Sequence, residues 1–231
     1  EAEKPRGGPA VDGPADVPLP DASPWADYPA GRAFLERLAD GHPVRAGWTA
    51  LPSGGGPLDW PQAVAVAVRA ATRAGRGALV VVPDHRDLAR VDEALVALQG
   101  TGRHVVLSSD LGPRARYAAW LRVARGEVRV AVGTRAAAFA PVHDLGLVVC
   151  WDDGDDLLAE PRSPYPHVRD VLVLRAELAG CAALLGGYAR TAEVQQLLDS
   201  GWARSIEATT PMVRARAPRV LLAGEGHEPE R

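Results

Sequence analysis

The sequence predicts an α/β fold, a mostly parallel β-sheet with helices on both faces. Three observations carry this. Short runs at 78–82, 128–132, 146–150 and 181–185, apolar throughout apart from Arg129, have the character of strands buried on both faces. Segments with apolar residues at helical spacing separate them. The alternation of strand and helix then requires crossovers, which place helices against both faces of a parallel sheet.

Taken in order, residues 1–28 are rich in Pro, Gly, Ala and Asp. They bury too little surface to offset their ordering entropy, and they read as a disordered interdomain linker. Trp25 and Tyr28 are its candidates for docking onto the domain. Residues 30–40 form a short amphipathic helix with Phe34, Leu35 and Leu38 on one face and Gly41 as its stop. Residues 48–51 lead into a glycine-rich loop. A helix at 60–73 turns Ala63, Val64, Ala67 and Val68 inward. After the strand at 78–82 come a helix at 84–98, ended by Gly100, and a strand at 104–107. The helix at 112–125 carries Tyr117, Trp120, Leu121 and Ala124 at helical spacing and stops at Gly126. Strands at 128–132 and 146–150, a helix at 168–178, a strand at 181–185 and a helix at 192–199 complete a lobe over 29–206. Residues 207–231 read as a tail with one candidate strand at 220–223.

The chain of 231 residues can hold one substantial domain plus tails, and 47% hydrophobic content is ample for its core. With a net charge of −3, the surface as a whole is not a nucleic-acid footprint. Any DNA contact must come from a local arginine cluster or a neighbouring domain. Cys150 and Cys181 lie in apolar runs and read as buried free thiols, suited to a reducing cytoplasm. Two cysteines without a close histidine pair argue against a structural zinc site or other metal in this segment. No apolar run is long enough to cross a bilayer and no signal-peptide pattern is present, so a cytoplasmic location without membrane partners is expected. The start at Glu1 and the polar end are expected of a piece of something longer.

Three constellations could carry chemistry. The first is Ser53-Gly54-Gly55-Gly56 before the helix at 60–73. A glycine-rich loop before a helix can offer N–H groups to phosphate, or it can be a flexible turn. Pro57 and Pro61 remove donors there. The chain's one lysine is Lys4, and neither Lys nor Arg occurs between Arg45 and Arg69, so nothing nearby neutralises a triphosphate. The second is Trp151-Asp152-Asp153-Gly154-Asp155-Asp156 at the end of an apolar strand, a layout for a divalent cation or equally for a solvated loop. Trp151 stands where a nucleotide-hydrolysing site would place its magnesium aspartate. The third is Gly133-Thr134-Arg135 through Phe139-Ala140-Pro141, which presents Thr, Arg and backbone N–H groups at a strand end as phosphate-backbone contacts or as a plain loop. Ser108, Ser109, His85 and Arg86 lie on the same edge.

These segments, with Val81-Val82-Pro83-Asp84, Ser108-Ser109-Asp110-Leu111, Leu145-Gly146-Leu147-Val148-Val149 and Tyr165 followed by His167-Val168-Arg169-Asp170, resemble the first helicase lobe of the primosomal protein N′ family. These are the PriA-type superfamily 2 DNA helicases of bacterial replication restart. The resemblance covers roughly 48–202 and points to the actinobacterial branch. It implies a RecA-like, P-loop NTPase-like lobe. It also implies that Pro83, His85, Thr134 and Arg135 line a DNA path, and that zinc is held elsewhere in the full protein. Arg135 pairing with an aspartate of 152–156 is the competing role.

The departures from the family are at its ATP motifs. The phosphate-loop lysine and threonine are absent around 49–58. The magnesium aspartate is replaced by Trp151, the catalytic glutamate by Asp152, and the Ser-Ala-Thr motif by Gly187-Tyr188-Ala189. Phosphoryl transfer rests on positioning and charge neutralisation, and these losses remove both. The reading is of a degenerate nucleotide site at Ser53, Gly54, Gly55, Gly56, Asp152 and Asp153, with weak or no binding of ATP and magnesium and with no catalytic residues. The lobe is expected to act as a DNA-binding scaffold at stalled forks, with forked or single-stranded DNA and primosome or replisome proteins, such as single-stranded DNA-binding protein, as partners. The alternatives are an active ATP-dependent 3′-5′ helicase with an atypical nucleotide site, and an interaction module without DNA contact.

Overall fold

The structure, a computed structural model, describes residues 21–52 and 56–217. Ser53, Gly54, Gly55 and the candidate strand at 220–223 lie outside the described residues. Among the described residues, seven strands form one sheet: β1 (Arg45–Thr49), β2 (Gly77–Val81), β3 (Val105–Leu107), β4 (Val130–Gly133), β5 (Leu145–Trp151), β6 (Ala182–Gly187) and β7 (Arg204–Ile206). Their order is β3-β4-β2-β5-β6-β1-β7, and each neighbouring pair is parallel. The four predicted apolar runs fall on β4, β2, β5 and β6, the sheet's interior. Every residue of those four strands is buried, as a sheet covered on both faces demands.

The helices are α1 (Gly31–Ala39), α2 (Trp60–Arg73), α3 (His85–Gln99), α4 (Pro113–Ala124), α5 (Val168–Ala179), α6 (Ala192–Asp199) and α7 (Thr210–Arg216). Strand alternation sorts the core into two layers. Ala78, Val80, Leu147, Val149, Trp151 and Leu184 face α1, α2 and α3. Leu79, Val81, Val148, Cys150, Ala183 and Leu185 face α5 and the opposite layer. Local signals set the helix ends. The Asp84 carboxylate accepts the N–H groups of Arg86 and Asp87 at 2.8 and 2.9 Å, and α3 stops at Gly100 with φ +83°. Thr191 Oγ1 accepts from Val194 N at 3.2 Å to start α6.

The structure departs from the sequence expectation in four places. β1, at Arg45–Thr49, has no counterpart among the predicted strands. β5 runs past Cys150 to include Trp151. β7 and α7 occupy ground read as lobe end and tail. β7 is an edge strand whose first two residues are exposed, so no apolar run announces it. Finally, residues 21–28 pack as part of the lobe. Trp25 is 1% exposed and donates from Nε1 to Ala63 O at 2.9 Å, while Tyr28 Oη accepts from Leu51 N at 2.8 Å. Arg216 of α7 ion-pairs with Asp27 at 2.7 Å, which ties α7 to this segment. Two aromatic anchors offset the ordering cost that an otherwise polar stretch could not.

Truncating Trp25 to Ala should therefore cost about 3–5 kcal/mol in urea unfolding, the scale for removing a buried tryptophan. A loosely attached linker would change by less than about 0.5 kcal/mol.

Candidate functional site

The C-terminal edge of the sheet carries two neighbouring arrangements. The first lies where β1, β5 and β6 end against the start of α2. Trp60, the first residue of α2, stacks on Trp151, the last residue of β5, with centroids 4.0 Å apart and planes 6° from parallel. Trp48 of β1 (5.7 Å) and Tyr188 (5.3 Å, 84°) close on Trp151 from two other sides, and Trp25, Tyr28 and Phe34 extend the cluster. Glycine makes room for it: a Cβ on Gly186 would stand 2.7 Å from the Trp48 ring and 3.4 Å from that of Trp151.

The N-terminus of α2 is already occupied by an anion. Asp59, 3% exposed, accepts from Trp60 N at 2.7 Å and ion-pairs with Arg90 of α3. Arg90 also approaches Asp87 at 3.5 Å and lies over the Trp60 ring at 5.1 Å. The sequence expectation that no cation reaches this place is thus corrected. An arginine does reach it, from α3 and so from outside the 45–69 interval, but two carboxylates share its charge. Burial, followed by the charge of Asp84, pushes the Asp87 carboxyl above its usual range. Gly56, the described residue of the glycine run, is exposed with φ +100° and accepts from Asp59 N at 3.2 Å.

The two acidic candidates separate. Asp153 is buried and takes Arg169 Nη1 at 3.0 Å and Thr191 Oγ1 at 2.7 Å on the same oxygen, tying β5 to α5 and α6. Of the six residues read as a degenerate nucleotide site, Asp153 is the one held by Arg169 and Thr191. Asp152 remains half-buried at φ +52°. Burial, then Asp155 and Asp153, raises its pKa. Among the described residues, no group of three or more His, Cys, Asp or Glu side chains is placed to hold a metal ion.

The second arrangement is an open cleft of about 470 Å³ at the ends of β2, β3 and β4. Pro83, His85, Thr134 and Arg135 all line it, so the structure brings the four DNA candidates together. Pro83 is buried, His85 begins α3 and is exposed, and Thr134 leads into a 3₁₀ turn over Arg135–Phe139. Phe139, 58% exposed, lines the wall. Arg135 pairs with Glu160 at 3.2 Å and donates to the carbonyls of Leu157 and Ala159 at 3.0 and 3.1 Å. The expected competing partner in 152–156 is therefore replaced by Glu160, which sequence spacing did not expose. The pattern Asp59-Trp60-Pro61 is a local capping signal that could have pointed to Asp59, whereas Arg90 and Glu160 arrive through tertiary packing.

This is a RecA-like α/β lobe with a cleft at its sheet's C-terminal edge and an aromatic plug beside it. No family model matches the chain. It is 52% identical over 212 residues to the "Probable replication restart protein PriA" of Mycobacterium tuberculosis, covering 91% of this chain and 32% of that protein. It is 37% identical over 168 residues to the corresponding protein of Deinococcus radiodurans, covering 69% and 18%. With the Bacillus subtilis replication restart protein PriA it shares 31% identity over 121 residues, covering 52% and 15%. A structure of RecG bound to a three-way DNA junction matches 79% of this chain and 24% of that one, with TM-score 0.52 at 13% identity, a likeness of fold. The chain belongs to the PriA replication restart family. It spans about a third of the length of the mycobacterial relatives.

Asp152→Asn tests the electrostatics of the edge, since asparagine tolerates its left-handed backbone. A raised folded-state pKa means that the ionised carboxylate destabilises the native state at neutral pH. The variant should melt higher than wild type at neutral pH. That gain should vanish below about pH 3.9, where the carboxyl is protonated in both states. A gain that persists into acid would refute the assignment.

Proposed function

We propose that this lobe serves replication restart as a DNA-binding scaffold at stalled forks and does not hydrolyse ATP. The observation that carries the reading is the Trp60–Trp151 stack beneath the Asp59–Arg90 pair. By family resemblance, phosphate, lysine and a magnesium aspartate would meet there. Protein side chains fill the place, and an anionic cap pre-empts the helix N-terminus that would receive phosphate. The family relationship supports DNA as partner, and the RecG structure sharing this fold has a DNA junction bound. The cleft at Pro83, His85, Thr134 and Arg135 is the proposed DNA contact, with Phe139 available for a base to stack on. Primosome or replisome proteins, such as single-stranded DNA-binding protein, would be its partners in the cytoplasm, with zinc in another part of the full protein.

A second reading, an active 3′-5′ helicase with an atypical site, draws on Arg90, a cation at the start of α2. Its charge is spent on Asp59 and Asp87, which disfavours that reading.

Calorimetric titration of the chain with ATP and magnesium should give a dissociation constant no tighter than about 1 mM, roughly −4 kcal/mol. The full-length protein should show no ATPase response to forked DNA. Micromolar binding, or hydrolysis stimulated by a fork, would sink the reading.

Arg135→Ala separates binding from bracing. If the guanidinium grips phosphate, binding to all sequences weakens and the salt slope flattens by about one contact. Arg135→Lys would then recover only part, since it loses the bidentate fork. If Arg135 only braces 157–160, the melting temperature falls and the slope holds, which removes it from the contact set.

A further inference from the structure

We propose that the opposite, N-terminal edge of the sheet carries a second nucleic-acid surface, one that takes the phosphate backbone of duplex DNA. The inference rests on the DNA-binding reading above and assigns it a further face. In a parallel sheet all strands begin at one edge. Three adjacent strands here are each preceded by an arginine: Arg103 lies two residues before β3, Arg129 just before β4 and Arg76 just before β2. Adjacent strands lie about 4.8 Å apart, so these residues form a row across one corner.

Hydrogen bonds knit the corner together. Arg129 donates to Gly75 O, Arg122 of α4 reaches Gly102 O at 3.5 Å, and His143 Nε2 lies 2.7 Å from Ala124 O. Gly77 N donates to Asp144 O and Ala78 N to Arg129 O. Arg76, Arg103, Arg122, Arg125 and Arg129 therefore share one surface with His143. Two carboxylates, Glu127 and Asp144, lie among them, and Asp92 at its margin faces His104 at 2.6 Å. Glu127 approaches Arg125 at 3.7 Å with both side chains exposed, a pair that water and salt screen readily. Arg103, Arg122 and Arg125 are exposed. Arg76 and Arg129 each spend part of a guanidinium on a carbonyl.

The corner is positive within a chain whose net charge is −3. The other end of the sheet holds Asp59, Asp84, Asp87, Asp110, Asp152 and Asp155 together with Arg86, Arg90 and Arg135, so both signs of charge meet there. The occupant follows from charge and shape. Exposed Phe139, Tyr165 and Tyr188 lie on loops at or beyond the C-terminal strand ends, and Tyr117 sits in the first half of α4. A guanidinium row without aromatic platforms suits the regular phosphates of a duplex rather than unstacked bases.

The test is fluorescence anisotropy of the chain with a labelled duplex over a series of salt concentrations, comparing wild type with the double variant Arg103→Ala/Arg125→Ala. The expected result is a salt slope reduced by about two phosphate contacts, affinity lowered about tenfold for every sequence, and an unchanged melting temperature. Duplex binding with an unchanged slope overturns the proposal and leaves the DNA-binding reading standing. Wild type that binds single strands but no duplex does the same. Failure to bind either overturns that reading as well. Polyglutamate that displaces the label as effectively as unlabelled duplex would assign the corner to an acidic protein and overturn the duplex claim.

Discussion

The lobe is organised around one contact, the face-to-face stack of Trp60 on Trp151. A tryptophan at the last position of a central strand has to be covered, and only the start of α2 and the ends of β1 and β6 are near enough. That demand propagates. Trp60 must open α2 and lie flat. β6 must be small where the rings gather, and Gly186 meets the requirement. Aromatic rings prefer offset or edge contacts to a face-on sandwich, and here the stack is supported from its margins. Tyr188 meets Trp151 edge-on, and Arg90 sits over Trp60 as a cation on a π face. Trp48, which meets Trp151, also holds Trp25, and Trp25 fastens residues 21–28 to the lobe.

The charge layout has a cause in the helices. In an α/β layer each crossover helix starts near the C-terminal ends of the strands and finishes near their beginnings. Helix starts attract carboxylates and helix ends attract cations. Asp59 and Asp84 cap α2 and α3, while Arg73 and Arg122 fall in the last turns of α2 and α4. Much of this charge placement is thus a requirement of capping, and the N-termini of α2 and α3 are answered by the chain's own carboxylates.

The sheet was legible because a strand buried on both faces must be apolar at every position, and four such runs interrupt helical patterns. What escaped had other causes. β7 is exposed at two of its three residues and carries no such run. Trp151 belongs to β5, yet the following aspartates make it look like the first residue of a loop. Residues 21–28 look like linker by composition, because two aromatic side chains supply nearly all their anchorage. The cleft residues Pro83, His85, Thr134 and Arg135 were legible through strand ends and family likeness. Arg90 and Glu160 were not, since each reaches its partner across the fold and local spacing carries no trace of that.

The scarcity of lysine looks different once the arginines are placed. Arg135 spans the carbonyls of Leu157 and Ala159, and Arg175 those of Ala138 and Ala140. Arg76 holds Leu145 O and Arg129 holds Gly75 O. A planar fork can bridge two carbonyls at fixed spacing, whereas an ammonium on a flexible stem cannot do so with the same geometry. These side chains brace the loops between strands and helices, so arginine has a structural task here beyond composition. It follows that arginine content by itself overstates the surface open to a polyanion. Arg135, shared between two carbonyls and Glu160, has to release one of these partners to grip a phosphate, a requirement that does not fall on exposed Arg103.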